Sequence, residues 1–272
     1  MPELPDVEAT RENLERWIAG RTVRALRVID RRILKGDDPR EVERAFRKAK
    51  VRGVSRRAKY LILDLGARGR AVIHLGMTGR IVLRGKGEED PRGAKVVFDA
   101  GGGKRVVFAD PRLFGRLGLL RGEIEERMAA LGVEPLSREF TPALLGKLLE
   151  RSPTPVKLFL MDQDRIAGIG NILATEALHL ARIHPARPAR SLSSGEVRRL
   201  HAAILKSIRE TLEAARAPEV VPLDERPENP FRIYGREGER CPRCGGPIRR
   251  MRQGGRSTYF CPRCQPAPRG RR

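Results

Sequence analysis

The sequence predicts a multidomain α+β chain: an antiparallel β-domain led by a helix, then a helical stretch, then a small cysteine-bearing hairpin. Three observations carry that expectation. Short β-branched runs separated by glycine-rich turns recur between Thr22 and Arg121. From about residue 123 to 216 apolar residues instead fall three and four apart, the spacing of one helix face. All four cysteines lie within residues 241–264, which points to one local site rather than a disulfide framework.

Taken in order, residues 5–19 read as a helix. Pro5, Asp6 and Glu8 suit its first turn, Val7, Leu14, Trp17 and Ile18 share a face, and Gly20 stops it. Strands are expected at Thr22–Ile29, Lys50–Ser55, Tyr60–Leu65, Ala71–Leu75, Arg80–Leu83, Lys95–Phe98 and Arg105–Phe108, with a helical insert at Glu41–Lys48. Many short strands of this kind make a sandwich or a barrel. Gly101-Gly102-Gly103 reads as a hairpin turn, since no helix pattern follows it. Helices are expected over 141–150, 155–161, 171–181 and 193–216, the last carrying Val197, Leu200, Ile204, Ile208 and Leu212 on one face. Ala167-Gly168-Ile169-Gly170-Asn171 precedes the third of these, either as a phosphate-gripping turn or as a plain helix–helix turn. The proline-rich 217–235 stretch reads as a linker. The expected domains are therefore 1–122, 123–217 and 236–272, with a loop at 218–235.

Composition narrows the partners. Against 34 acidic residues stand 56 Lys and Arg, for a formal charge of +22, so a polyanion such as nucleic acid is the expected partner. An arginine-rich protein from a GC-rich or hot-adapted source would share part of that bias. No run of 18 apolar residues offers a membrane span, and the N-terminus lacks a basic segment followed by an apolar core, so a cytoplasmic protein is expected. No heptads suggest assembly, so a monomer is the default.

Cys241-Pro-Arg-Cys244 and Cys261-Pro-Arg-Cys264 are two knuckles with sixteen residues between them. Four thiolates at this spacing close a tetrahedral Zn²⁺ site, and with every position filled by protein the ion would be structural. Residues 236–272 hold eleven arginines against two glutamates, so the hairpin should meet phosphates, Arg256 at its tip above all.

At the other end, Pro2 follows Met1, and a small second residue favours Met removal. The exposed secondary amine, titrating near ~8, could attack an aldehyde-like carbon and form an iminium that keeps its charge without a further proton. Glu3 beside it could move protons. A start codon and a helix-opening proline explain the same residues more plainly.

These pieces together resemble the bacterial formamidopyrimidine-DNA glycosylases and their endonuclease VIII-like relatives, over nearly the whole chain. The resemblance is carried by Pro2-Glu3-Leu4-Pro5, Arg57-Ala58-Lys59-Tyr60, His74-Leu75-Gly76-Met77-Thr78-Gly79, Asp110-Pro111-Arg112-Leu113-Phe114-Gly115, Gly168-Ile169-Gly170-Asn171-Ile172 and Tyr234-Gly235-Arg236-Glu237-Gly238, followed by the four cysteines. It implies an N-terminal β-sandwich, a helix–two-turns–helix domain and a zinc-finger hairpin, with damaged duplex DNA in a cleft. It implies that Pro2 attacks C1′, expels an oxidised base and, through the iminium, nicks the strand by β- and δ-elimination. Glu3 would serve as acid and base, and Lys59 as the active-site cation. Met77, Arg112 and Phe114 match the residues that fill the gap left by a flipped nucleotide. Asn171 and Arg256 match phosphate clamps, and Lys157 a lysine that reaches toward the lesion. His74 either orients a strand or meets DNA. His179, His184 and His201 look structural or surface, and Glu176 either supports the helix start or lies on a solvated face.

Three departures stand out. Asp6 replaces the family's Glu, and Leu113 replaces the second Arg of its Asp-Pro-Arg-Arg-Phe-Gly motif. The Gly-Gly-Ser/Thr-rich segment that caps a flipped 8-oxoguanine is missing; Ala217-Pro218-Glu219-Val220-Val221-Pro222 stands there. The expected activity is thus removal of oxidised purines, with an endonuclease VIII-like preference for oxidised pyrimidines and a non-catalytic zinc-finger DNA binder as the alternatives.

Overall fold

In the computed structural model, which describes residues 2–217 and 229–267, the first helix, α1, spans Leu4–Ile18. Its start is fixed by a reciprocal capping box. The Glu3 N–H donates to Asp6 Oδ2 at 2.8 Å, and the Glu3 side chain accepts from the Asp6 N–H. Pro5 in the first turn has no N–H to leave orphaned. Leu4, Val7, Leu14 and Ile18 are buried along one face.

The chain divides into two units. The first runs to Ala129 and takes back the chain from Leu212; the second holds Ala130–Thr211 and the remaining described residues. In the first unit lie β1 (Thr22–Val23), β2 (Ala25–Val28), α2 (Pro39–Phe46), β3 (Ala49–Lys50), β4 (Gly53–Arg57), β5 (Tyr60–Asp64), β6 (Arg70–His74), β7 (Arg80–Arg84), β8 (Ala94–Asp99), β9 (Arg105–Ala109), β10 (Arg116–Leu119) and α3 (Glu123–Ala129). Two four-stranded antiparallel sheets, β10-β6-β5-β4 and β2-β8-β9-β7, form a sandwich rather than a barrel. Leu61, Leu63 and Ile73 from one sheet meet Phe98, Val106 and Phe108 from the other in a shared core, which α1 completes with Val7, Leu14 and Ile18. Each such side chain, fully removed from water, contributes about 1.5–3 kcal/mol.

Two expected strands are split. Thr22–Ile29 breaks at Arg24 and Lys50–Ser55 at Val51, because β1 and β3 pair with each other while β2 and β4 join the two large sheets. The insert α2 starts two residues earlier than its apolar pattern suggests, since Asp38 caps it by accepting from the Arg40 N–H at 3.0 Å and Pro39 fills its first turn. The Gly101–Gly103 turn joins β8 to β9 as expected.

The second unit holds α4 (Pro142–Leu149), α5 (Val156–Leu160), α6 (Asn171–Ala181), most of α7 (Ser194–Ala215), and a hairpin of β11 (Arg249–Gln253) and β12 (Arg256–Phe260). Helix α6 is buried almost throughout and packs against α5 and β12. The end of α7 belongs to the first unit. There Ala215 packs on Ala9, Arg216 forms a two-pronged pair with Glu12 at 2.8 and 2.9 Å, and Asn13 Nδ2 donates to the Ala217 carbonyl at 2.8 Å. Most of the expected 218–235 linker lies outside the described residues.

Candidate active site and metal centre

In the first unit, Pro2 is buried immediately before α1, and Glu3 is buried as its cap. Asp6, one methylene shorter than the family's Glu, is engaged by the helix start rather than by solvent. The turn between β4 and β5 carries Lys59. Ala58 before it adopts a left-handed backbone with φ of 51°, a conformation that costs about 1–2 kcal/mol for a residue with a Cβ. Arg56 holds that turn. Its Nη1 donates to the Ala58 carbonyl at 2.8 Å and its Nε to Glu8 Oε2 at 2.7 Å, so the lysine turn is tied to α1 one turn beyond Glu3. Glu8 also accepts from Arg11 at 2.7 Å. His74 pairs with Tyr60 across β5 and β6, their rings 4.8 Å apart, and its Nδ1 accepts from the Gly76 N–H at 3.1 Å. Burial, assisted by the positive charge of Lys59, brings His74 down to about 4, so it is neutral at physiological pH.

Met77, Arg112 and Phe114 are solvent-facing, with Phe114 half exposed. Neither Met77 nor Phe114 belongs to the buried core. The Arg112 guanidinium lies over the Phe114 ring, 4.8 Å from its centroid. Asp110, fully buried, assembles the group. It accepts from the Thr78 hydroxyl at 2.6 Å, from the Arg112 N–H at 3.3 Å and from the Gly115 N–H at 2.6 Å. Gly76 lets the two loops touch: its φ is +64°, and a Cβ there would collide with the Phe114 backbone. Leu113 also has a left-handed φ, 56°, and packs on the sandwich core while its carbonyl accepts from Lys35 Nζ at 2.7 Å. The donor lost at Leu113 is thus replaced by an apolar anchor.

In the second unit, Asn171 opens α6 and is buried; its Nδ2 donates to the Ser257 carbonyl at 3.1 Å, next to Arg256 in β12. Arg256 itself is exposed. Lys157 does not extend outward. It is fully buried, donating to Thr258 Oγ1 at 2.6 Å and to the Ser257 carbonyl at 3.3 Å, which braces β12 from behind. Glu176 is neither a helix-start support nor a solvated side chain. It is buried and accepts the N–H groups of Arg232, Ile233 and Tyr234, each at 3.0 Å, while burial pushes its carboxyl upward. The Tyr234 hydroxyl in turn meets Asn171 Nδ2 at 3.4 Å. His184 and His201 are structural, the first edge-on to Phe260 and the second bonded to the Phe140 carbonyl at 2.8 Å.

The sulfurs of Cys241, Cys244, Cys261 and Cys264 lie within 4.8 Å of one another, with Cys241 to Cys264 at 3.9 Å and Cys244 to Cys261 at 3.4 Å. Sulfurs about 2.3 Å from one ion at tetrahedral angles need about this separation. Without a cation so close a set resists joint ionisation: burial and its neighbours push Cys264 up to about 12, while the Gly246 N–H brings Cys244 down to about 7. The donors fit one structural Zn²⁺.

Three family models match in sequence order. The formamidopyrimidine-DNA glycosylase N-terminal domain covers residues 1–117, the formamidopyrimidine-DNA glycosylase H2TH domain 131–219, and a zinc finger found in FPG and IleRS 238–267. A formamidopyrimidine-DNA glycosylase of Symbiobacterium thermophilum is 40% identical over 99% of this chain and 91% of its own length. The chain belongs to the formamidopyrimidine-DNA glycosylase family. Solved structures agree with the fold. The Lactococcus lactis enzyme in complex with abasic-site DNA superposes with a TM-score of 0.88 at 27% identity, covering 98% of this chain and 100% of that one. The same enzyme bound to DNA containing an oxidised pyrimidine gives 0.87 at 28%, with the same coverage. As a family member the chain carries the zinc finger its cysteines describe, and the helical unit is of the H2TH type. Sequence reasoning overlooked Asp110, Arg56 and Tyr234 as organisers of these sites. Asp110 opens a Pro-containing turn and Tyr234 opens one of the quoted motifs, but nothing local marks Arg56.

Proposed function

We propose that this chain is a base-excision repair glycosylase with abasic-site lyase activity, acting on oxidised purines in duplex DNA. With Met1 removed, the Pro2 amine attacks C1′ of the damaged nucleotide. The C1′–N bond breaks, the base leaves with the electron pair, and sugar-ring opening gives a Pro2 iminium. Loss of the C2′ proton then expels the 3′ phosphate, and a second elimination expels the 5′ phosphate. Glu3 passes protons to the sugar oxygen, and Lys59 stabilises a neighbouring phosphate. Met77, Arg112 and Phe114 occupy the gap left in the duplex. Asn171 and Arg256 grip backbone phosphates, and Lys157 supports them through β12. The Zn²⁺ holds the hairpin's shape and takes no part in the chemistry.

The observation that carries this reading is the burial of Pro2 and Glu3 at a helix start tied by Glu8 and Arg56 to the Lys59 turn. On this reading the enzyme works on DNA in the cytoplasm, with the nucleoid, as a monomer. Borohydride reduction on an abasic-site duplex should trap a covalent adduct on Pro2. Absence of an adduct, using protein shown to lack Met1, refutes the mechanism. A second substrate reading deserves the same panel, because the solved relative holds an oxidised pyrimidine in its DNA. Duplexes with 8-oxoguanine opposite C, formamidopyrimidine and thymine glycol should rank in that order; thymine glycol first would move the chain to the pyrimidine branch.

A further inference from the structure

One buried titratable group serves neither DNA nor the nucleophile. His179 sits near the end of α6, 1% exposed, with Nε2 at 3.3 Å from Cys241 Sγ. Its Nδ1 is buried and has no hydrogen-bond partner among the described residues. A metal-bound Cys241 is a thiolate and can only accept, so Nε2 must carry the proton and Nδ1 must be bare. The ring is not a fifth ligand: the cluster that can hold an ion contains four sulfurs and no histidine nitrogen. The neighbouring contacts hold the ring's backbone in place, since Arg243 donates to the carbonyls of His179 at 3.1 Å and Leu180 at 3.3 Å.

We infer that His179 is an outer donor to the zinc site, its N–H bond to Cys241 withdrawing charge from the thiolate and slowing loss of the ion. Four thiolates around one Zn²⁺ leave two negative charges, and Cys241 and Cys261 are the buried pair that must dissipate them without water. Of the two, Cys241 receives the imidazole N–H from α6. Groups in this position commonly change metal affinity by about 10–100-fold. The bond also makes the ion's retention depend on α6, the helix that presents Asn171 at its other end.

The full-length zinc protein tests this with His179→Phe, which keeps an aromatic ring and removes the donor, and His179→Gln, which restores an N–H. Zn²⁺ transfer to a chromogenic chelator should be about tenfold faster in the Phe variant and close to the parent rate in the Gln variant. Transfer at the parent rate from the Phe variant overturns the inference. So does equally fast loss from both variants, which would indicate packing alone. Cobalt substitution gives a readout independent of folding yield. In the Phe variant the sulfur-to-cobalt charge-transfer band should move to longer wavelength while the ligand-field bands keep their tetrathiolate pattern. A change in the ligand-field bands would make His179 a ligand and overturn the inference too.

Discussion

Arg56 ties the Lys59 turn to α1. Its side chain spans Glu8 and the Ala58 carbonyl, and so sets the strained turn that presents Lys59. Arg56→Lys keeps the charge but loses the fork, and should lower single-turnover nicking by about ten- to a hundredfold. If Arg56 acts through Lys59, the same change in a Lys59→Ala background should add no further loss, which a double-mutant cycle in rate reads directly. His74 carries a second residue-scale consequence. Its folded-state value is near 4, below an ordinary histidine, so the unfolded chain takes up a proton first as pH falls. Stability should therefore be full above about 6.5 and decline from there to about 4. Urea unfolding at pH 7 and pH 5 measures the decline, and His74→Gln should flatten it. None of this was legible in the sequence, where Arg56 was one basic residue among three and His74 had two open roles. Which carboxylate or carbonyl meets a side chain is set by register across strands, not by neighbours in the chain.

At the scale of elements, glycine turns and alternating β-branched residues located every long strand of the sandwich. They did not locate β10, whose Arg-Leu-Gly-Leu has neither length nor alternation and exists because β6 offers it an edge. Nor did they divide the strand runs that change sheets, because a β-branched stretch reads the same whichever partner it takes. The segment at 232–234 is a similar case. It has no regular structure of its own and is held by three hydrogen bonds to buried Glu176. Glu176→Gln would turn an amide donor toward at least one of those N–H groups and should cost about 1–3 kcal/mol, seen as a lower melting temperature. Because Tyr234 and Asn171 share that neighbourhood, DNA affinity should fall as well, by gel shift on an abasic analogue. An unchanged melting temperature would mean the three bonds are replaceable.

For the molecule as a whole, a formal charge of +22 announced a polyanionic partner, and the motifs in order announced the family. Charge alone could not say which cations touch DNA. Lys157 was expected to reach toward the lesion but is buried against β12, whereas Arg256, on β12 itself, is exposed. Arg256→Ala should weaken binding to every duplex alike and reduce the salt slope by about one phosphate; titrations at several salt concentrations would expose an error by leaving the slope unchanged.

The return of α7 to α1 bears on how the protein is made. Ala9, Glu12 and Asn13 find their partners at Ala215, Arg216 and Ala217, about two hundred positions downstream. A ribosome must therefore synthesise the whole helical middle before the N-terminal unit can close its own surface. A nascent chain ending near residue 130 would present its first helix with that flank bare. Pro2, the proposed nucleophile, is among the first residues made, yet the helix behind it is completed among the later ones.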